Sequence, residues 1–101
     1  MSRKRRPSPQ QQWEQALVDD YYDYRWRQVL DPLYEELQRW KAGERTHDDM
    51  DSAIHEAHEQ TKKLYTLFTQ NRSWLARAIQ MDREWFERWL ADHPPPPGAP
   101  L

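Results

Sequence analysis

Cysteine is absent from the 101 residues, glycine occurs twice, and no apolar run is long enough to cross a bilayer. Each absence removes a class of protein. Without cysteine there is no disulfide framework, no thiol nucleophile and no cysteine-based zinc site. Two glycines cannot supply a phosphate-cradling loop or a dinucleotide fingerprint, and a membrane span needs about 20 consecutive apolar residues. The basic start Ser2-Arg3-Lys4-Arg5-Arg6 leads into Pro7 and glutamines, where a signal peptide would carry an apolar stretch. A soluble, cytoplasmic chain is expected.

Valine and isoleucine are also scarce, at Val18, Val29, Ile54 and Ile79. Leu, Glu, Gln, Arg and Ala dominate instead, so strands are disfavoured and the expected fold class is all-α. The formal net charge is −2, but residues 1–12 carry four bases and no acid, which leaves −6 for the rest. Residues 1–11 are expected to form a disordered basic arm. Arg3, Lys4, Arg5 and Arg6 are the candidate nucleic-acid contacts on it. At the other end, four prolines after His93 stop any helix, so residues 93–101 form a Pro-rich tail.

The ordered part is then residues 12–92, a single helical domain of marginal size for a lone monomer. Helices are expected at about 11–42, 47–70 and 73–92. In the first, Trp13, Leu17, Tyr21 and Tyr24 recur at helical spacing, and after a change of phase so do Trp26, Leu30, Leu33, Leu37 and Trp40. Pro32, with Asp31 before it, predicts a kink or a restart, and Gly43 a stop. Thr46 and Asp49 stand at capping-box spacing for the second helix.

From Met50 a three-four spacing continues through Ile54, Ala57, Thr61, Leu64, Phe68, Asn71, Leu75, Ala78, Asp82 and Trp85 to Trp89. It resembles the seam of a coiled coil. Two arrangements are open: an antiparallel hairpin with a long, unbroken second helix, or a three-helix bundle that turns back at Asn71-Arg72-Ser73. In the first, residues beyond Arg77 outrun their partner helix, because antiparallel helices joined by a short link cover one another at about 1.5 Å per residue. The overhanging Trp85, Phe86 and Trp89, together with Trp26, are the candidate interface. The expected partner is a second copy, as a dimer, or another helical protein.

Three constellations could carry chemistry or recognition. Asp51, His55 and His58 share one helix face, and in a hairpin Glu35 and Glu36 lie opposite. Imidazole and carboxylate together form the mixed ligand set of iron, manganese and zinc sites in helical bundles. A transition metal ion is therefore the one candidate cofactor, weighed against a plain acidic first turn: residues 44–59 carry a balance of −5, and acids favour a helix N-terminus.

Residues 75–90 have the spacing of a helix-turn-helix, with Ala76 in the first helix, Gln80 at the turn and Asp82 capping the second. The would-be recognition helix carries Glu84, Glu87 and Asp92 against two arginines, a poor match for phosphates. The cluster Tyr21-Tyr22-Asp23-Tyr24-Arg25-Trp26-Arg27 cannot turn every ring to one stripe, so part of it meets a second neighbour. No serine or threonine stands in a nucleophile motif. The leading expectation is a non-enzymatic helical protein that associates through Trp- and Tyr-rich faces.

Overall fold

A computed structural model describes residues 7–98. They form four helices and no strand: α1 (Pro9–Lys41), α2 (His47–Phe68), α3 (Arg72–Gln80) and α4 (Arg83–Asp92). None of these helices is long and apolar enough to cross a membrane. The all-α expectation holds, and each boundary has a chemical cause.

α1 begins two residues before the expected start. The Ser8 amide donates to Gln11 Oε1 at 2.9 Å and the Gln11 amide to Ser8 Oγ at 3.1 Å. This is the reciprocal capping box, with Pro9 in the first helical position, where its missing N–H costs nothing. Residues 9–11 thus belong to the helix, not to the arm. Arg3, Lys4, Arg5 and Arg6 lie outside the described residues. The restart expected at Pro32 does not occur: α1 is a single helix that contains Pro32.

Gly43 ends α1 as expected. At φ 81° it takes the left-handed conformation, its amide donates to the Trp40 carbonyl at 3.0 Å, and the Glu44 amide reaches the Arg39 carbonyl at 2.9 Å. That pair of bonds is the Schellman stop. The Thr46 side chain then accepts from the Asp49 amide at 3.0 Å, while the Thr46 amide donates to Asp49 Oδ2 at 2.9 Å, opening α2. Asn71 Oδ1 accepts from the amides of Ser73 and Trp74 at 2.8 and 3.3 Å. This cap starts a new helix, so residues 47–92 are not one long rod.

The chain divides into two compact units. The first takes in the chain up to Tyr21 and from Asn71 onward, hence the start of α1 with α3 and α4. Its buried residues are Trp13, Leu17, Tyr21, Leu75, Ala76, Ile79, Trp85, Phe86 and Trp89. Side chains such as Leu17 and Phe86 each contribute roughly 1.5–3 kcal/mol by leaving water.

The rings meet edge to face and in stacks. Tyr21 lies 4.8 Å from Trp85, Trp13 lies 5.5 Å from Trp89, and Trp85 stacks on Trp89 at 6.0 Å. Polar tips of buried aromatics need partners, and here they have them. Trp13 Nε1 donates to the His93 carbonyl at 2.9 Å, Trp89 Nε1 to Asp20 Oδ2 at 2.8 Å, and the Tyr21 hydroxyl to Asp82 Oδ2 at 2.9 Å. His93 stacks flat on Trp89 at 4.4 Å, and its Nδ1 lies 2.9 Å from the Trp89 carbonyl. Asp82 therefore holds a tyrosine from across the unit instead of capping α4, where its side chain makes no cap bond.

The second unit is Tyr22–Gln70, the remainder of α1 with α2. Tyr22 meets Phe68 edge to face at 4.7 Å, and Trp40 meets His47 through a 3.0 Å hydrogen bond from Nε1 to Nδ1. Arg45 Nε donates to Glu36 Oε2 at 2.8 Å, tying the link back to α1. Only Met50, Ala57 and Leu64 are buried here. They recur every seventh residue, so α2 turns one row of side chains inward. Ile54, expected in the same seam, is exposed.

Candidate interaction surface

The expected metal ligands do not come together. On α2 the inward row is Met50, Ala57 and Leu64, and at about 100° per residue Asp51, His55 and His58 project 80–140° away from Met50. All three are exposed, and so is Glu35 on α1. Glu36 is occupied by Arg45 and, at 3.3 Å, by Arg39. Among the described residues no three His, Asp or Glu side chains gather as metal ligands. The acidic stretch instead stabilises its own helix. Asp49 is held below the usual carboxylate range by the Thr46 backbone amide, and Glu59 is lowered by its bond to Lys62.

The expected interface divides as well. Trp85, Phe86 and Trp89 are buried within their own unit, because the break at Asn71 removes the overhang that would have exposed them. What α4 leaves outside is Arg83, Glu84, Glu87, Arg88 and Asp92, a slightly acidic face unsuited to phosphates. Trp26 is half-buried against Tyr22 and lines a groove with His58, Thr61, Lys62, Tyr65 and Thr66. Its indole N–H is shielded from solvent and has no acceptor among the described residues.

The surface that stands out belongs to the second unit. Of the nine large exposed apolar residues among those described, seven lie there: Tyr22, Leu30, Tyr34, Leu37, Trp40, Ile54 and Tyr65. Helical geometry groups them. Around α1, Tyr22, Trp26, Val29, Leu30, Leu33, Tyr34, Leu37 and Trp40 span about 140° of arc, more than the roughly 100° stripe that one neighbour covers. α2 covers the side bearing Val29 and Leu33; Leu30, Tyr34 and Leu37 form the uncovered shoulder at i, i+4 and i+7. On α2 the matching shoulder is Ile54, His58 and Tyr65, which span about 40°.

The groove that joins Trp26 to His58 and Tyr65 places both shoulders on one side of the unit. The other side differs in chemistry. Its groove, about 350 Å³, has a floor of Val29, Pro32, Leu33, Ala53 and Ala57 and a rim of Arg25, Gln28, Glu36, Glu56 and Gln60. This side is rimmed by charged and amide groups, whereas the other presents exposed leucine, isoleucine and tyrosine. The sequence already held this signal in the width of the α1 stripe, whereas its spacing alone, common to any amphipathic helix, did not reveal it.

No family model, curated protein or solved structure matches the chain. The functional reading therefore rests on the surface itself.

Proposed function

We propose that the chain is a non-enzymatic association protein whose α1–α2 unit is an antiparallel helical hairpin that docks another helical surface. The observation that carries this reading is the uncovered shoulder of Leu30, Tyr34, Leu37, Ile54 and Tyr65 over a hairpin with only three buried residues. Two helices in contact along one row bury little, and contiguous exposed apolar surface of this kind marks interaction sites. Tyrosine beside leucine and isoleucine also suits binding hot spots, since tyrosine gives a large contact at little cost in side-chain entropy.

Site-specific photo-crosslinking tests the reading. A photoreactive residue in place of Tyr34 should give a protein adduct, and the same residue at Gln28, on the opposite side, should give none. Introducing Leu30→Glu and Ile54→Glu together should abolish the adduct while leaving the helical circular-dichroism signal intact. An adduct that survives both charges, or none from any position on the shoulder, overturns the proposal.

A further inference from the structure

We infer that the occupant of this face is a second copy of the same chain, related by a two-fold axis that crosses the helices, so that two hairpins close into a four-helix bundle. This rests on the association reading above and adds the identity and orientation of the partner. Three observations carry it: the size of the face, its register and its charge.

Exposure of the five side chains is 43% at Leu30, 61% at Tyr34, 41% at Leu37, 54% at Ile54 and 71% at Tyr65. At roughly 200 Å² for a whole large side chain, these fractions amount to on the order of 500 Å² of surface, more than half of the about 800 Å² per partner of a standard interface. A hairpin is also half of the commonest small helical architecture. Two of them stacked on their apolar faces give each helix the second neighbour that its stripe requires.

The register is self-consistent. A two-fold axis that brings Leu30 onto Leu37 of the second copy crosses α1 between Leu33 and Tyr34. Within the hairpin, Tyr22 meets Phe68 and Trp40 meets His47, which puts that level of α1 opposite residues 54–56 of α2. An axis crossing α2 at the far edge of that level, near residue 56, pairs Ile54 with His58 of the second copy and brings Asp51 close to Lys62. One operator thus serves both helices to within about two residues, or about 3 Å along the helix.

Charge agrees with this orientation. α2 carries Asp48, Asp49, Asp51 and Glu56 in its first half, and Lys62 and Lys63 against Glu59 in its second. Antiparallel pairing of two such helices sets acid against base at both ends and opposes the helix dipoles; parallel pairing would set acid against acid. Asp51 and Lys62 lie on the same shoulder as His58, at the edge of the apolar patch. Lys62 bonds within its own helix to Glu59 at 3.1 Å, an exposed pair that is readily exchanged for Asp51 of the second copy.

Sedimentation equilibrium of the full chain over a range of concentrations tests the inference. The wild type should fit a monomer–dimer equilibrium, and Leu30→Glu should raise the dimer dissociation constant more than about tenfold. Asp51→Lys and Lys62→Asp should each weaken the dimer about two- to fivefold, and the double variant should restore it. Circular dichroism of each variant identifies any that fails to fold, and Tyr34→Ser then serves in place of Leu30→Glu.

A monomer at every concentration whose Tyr34 photo-crosslinker captures a different protein overturns the second copy and leaves the association reading standing. A monomer with no crosslink at all overturns both. A dimer indifferent to Leu30→Glu, or a charge exchange without rescue, contradicts the face or the orientation.

Discussion

The two units draw on the same residue types and use them in opposite ways. In the unit that contains α3 and α4, nine apolar residues are buried, and the indoles of Trp13 and Trp89 and the hydroxyl of Tyr21 each donate to an acceptor. In the α1–α2 unit three are buried, seven large ones are exposed, and the indole N–H of Trp26 lacks an acceptor. One unit has three helical segments to close a core, and the other has two. Aromatic content therefore says nothing about where apolar surface stays uncovered; the number of neighbours available to each helix does.

Breaking the well-packed unit should produce the largest effect. Trp89→Ala removes a buried ring together with the donor that reaches Asp20, and should destabilise the chain by about 3–5 kcal/mol, read from urea denaturation. Leu17, fully buried, should behave similarly, at about 2–5 kcal/mol for Leu17→Ala. A loss below about 1 kcal/mol at both positions would mean that this unit is no better packed than the α1–α2 unit.

Next come the hydrogen bond at Asp82 and the stop at Gly43. Tyr21→Phe deletes only the hydroxyl and should cost about 1 kcal/mol. Gly43→Ala meets no steric obstacle, so any loss reports the left-handed backbone alone, again about 1 kcal/mol. Thr46→Ala should cost a similar amount, about 1 kcal/mol, through the capping box, with fraying confined to the start of α2 by hydrogen exchange. In the hairpin shoulder, by contrast, Tyr34→Ser should change monomer stability by less than about 0.5 kcal/mol, because the ring has no core to leave.

Acid should also distinguish the two regions, by a small margin. Asp49 and Glu59 have folded-state pKa values below their ordinary ones. Such groups add stability above the unfolded value and lose it as pH falls through the folded value, so the contribution is complete at neutral pH and disappears below about pH 4. Both lie on α2. Amide exchange at the first turn of α2 should accelerate on acidification before that of α4, and equal acceleration would show that the Thr46–Asp49 box is not the source.

Much of the fold could be read directly. Gly43, Thr46 with Asp49, and Asn71 each announced their helix ends through side-chain or backbone chemistry that acts within a few residues. Ser8 with Gln11 carries the same signal, masked by the basic residues before it, which have the composition of an arm. Asp82 misled for the converse reason: a capping residue type can be claimed by a distant partner, here Tyr21, and only the tertiary structure decides. The candidate site was less legible. His55, His58 and Asp51 do share one face, but whether that face meets another helix depends on which row packs inward. The row of Met50, Ala57 and Leu64 turns it to solvent. The spacing of Trp85, Phe86 and Trp89 calls for cover, and whether the chain itself or a second copy supplies it depends on the helix break at Asn71, which buries them within the chain.

The most direct measurement is hydrogen exchange of the wild-type chain as a function of its own concentration, read in both units at once. The account predicts that amides of α1 near Leu30–Leu37 and of α2 near Ile54–Tyr65 gain protection as concentration rises, while those of α4 around Trp85–Trp89 do not change. Protection that is independent of concentration in the hairpin, or that rises equally in α4, would contradict it.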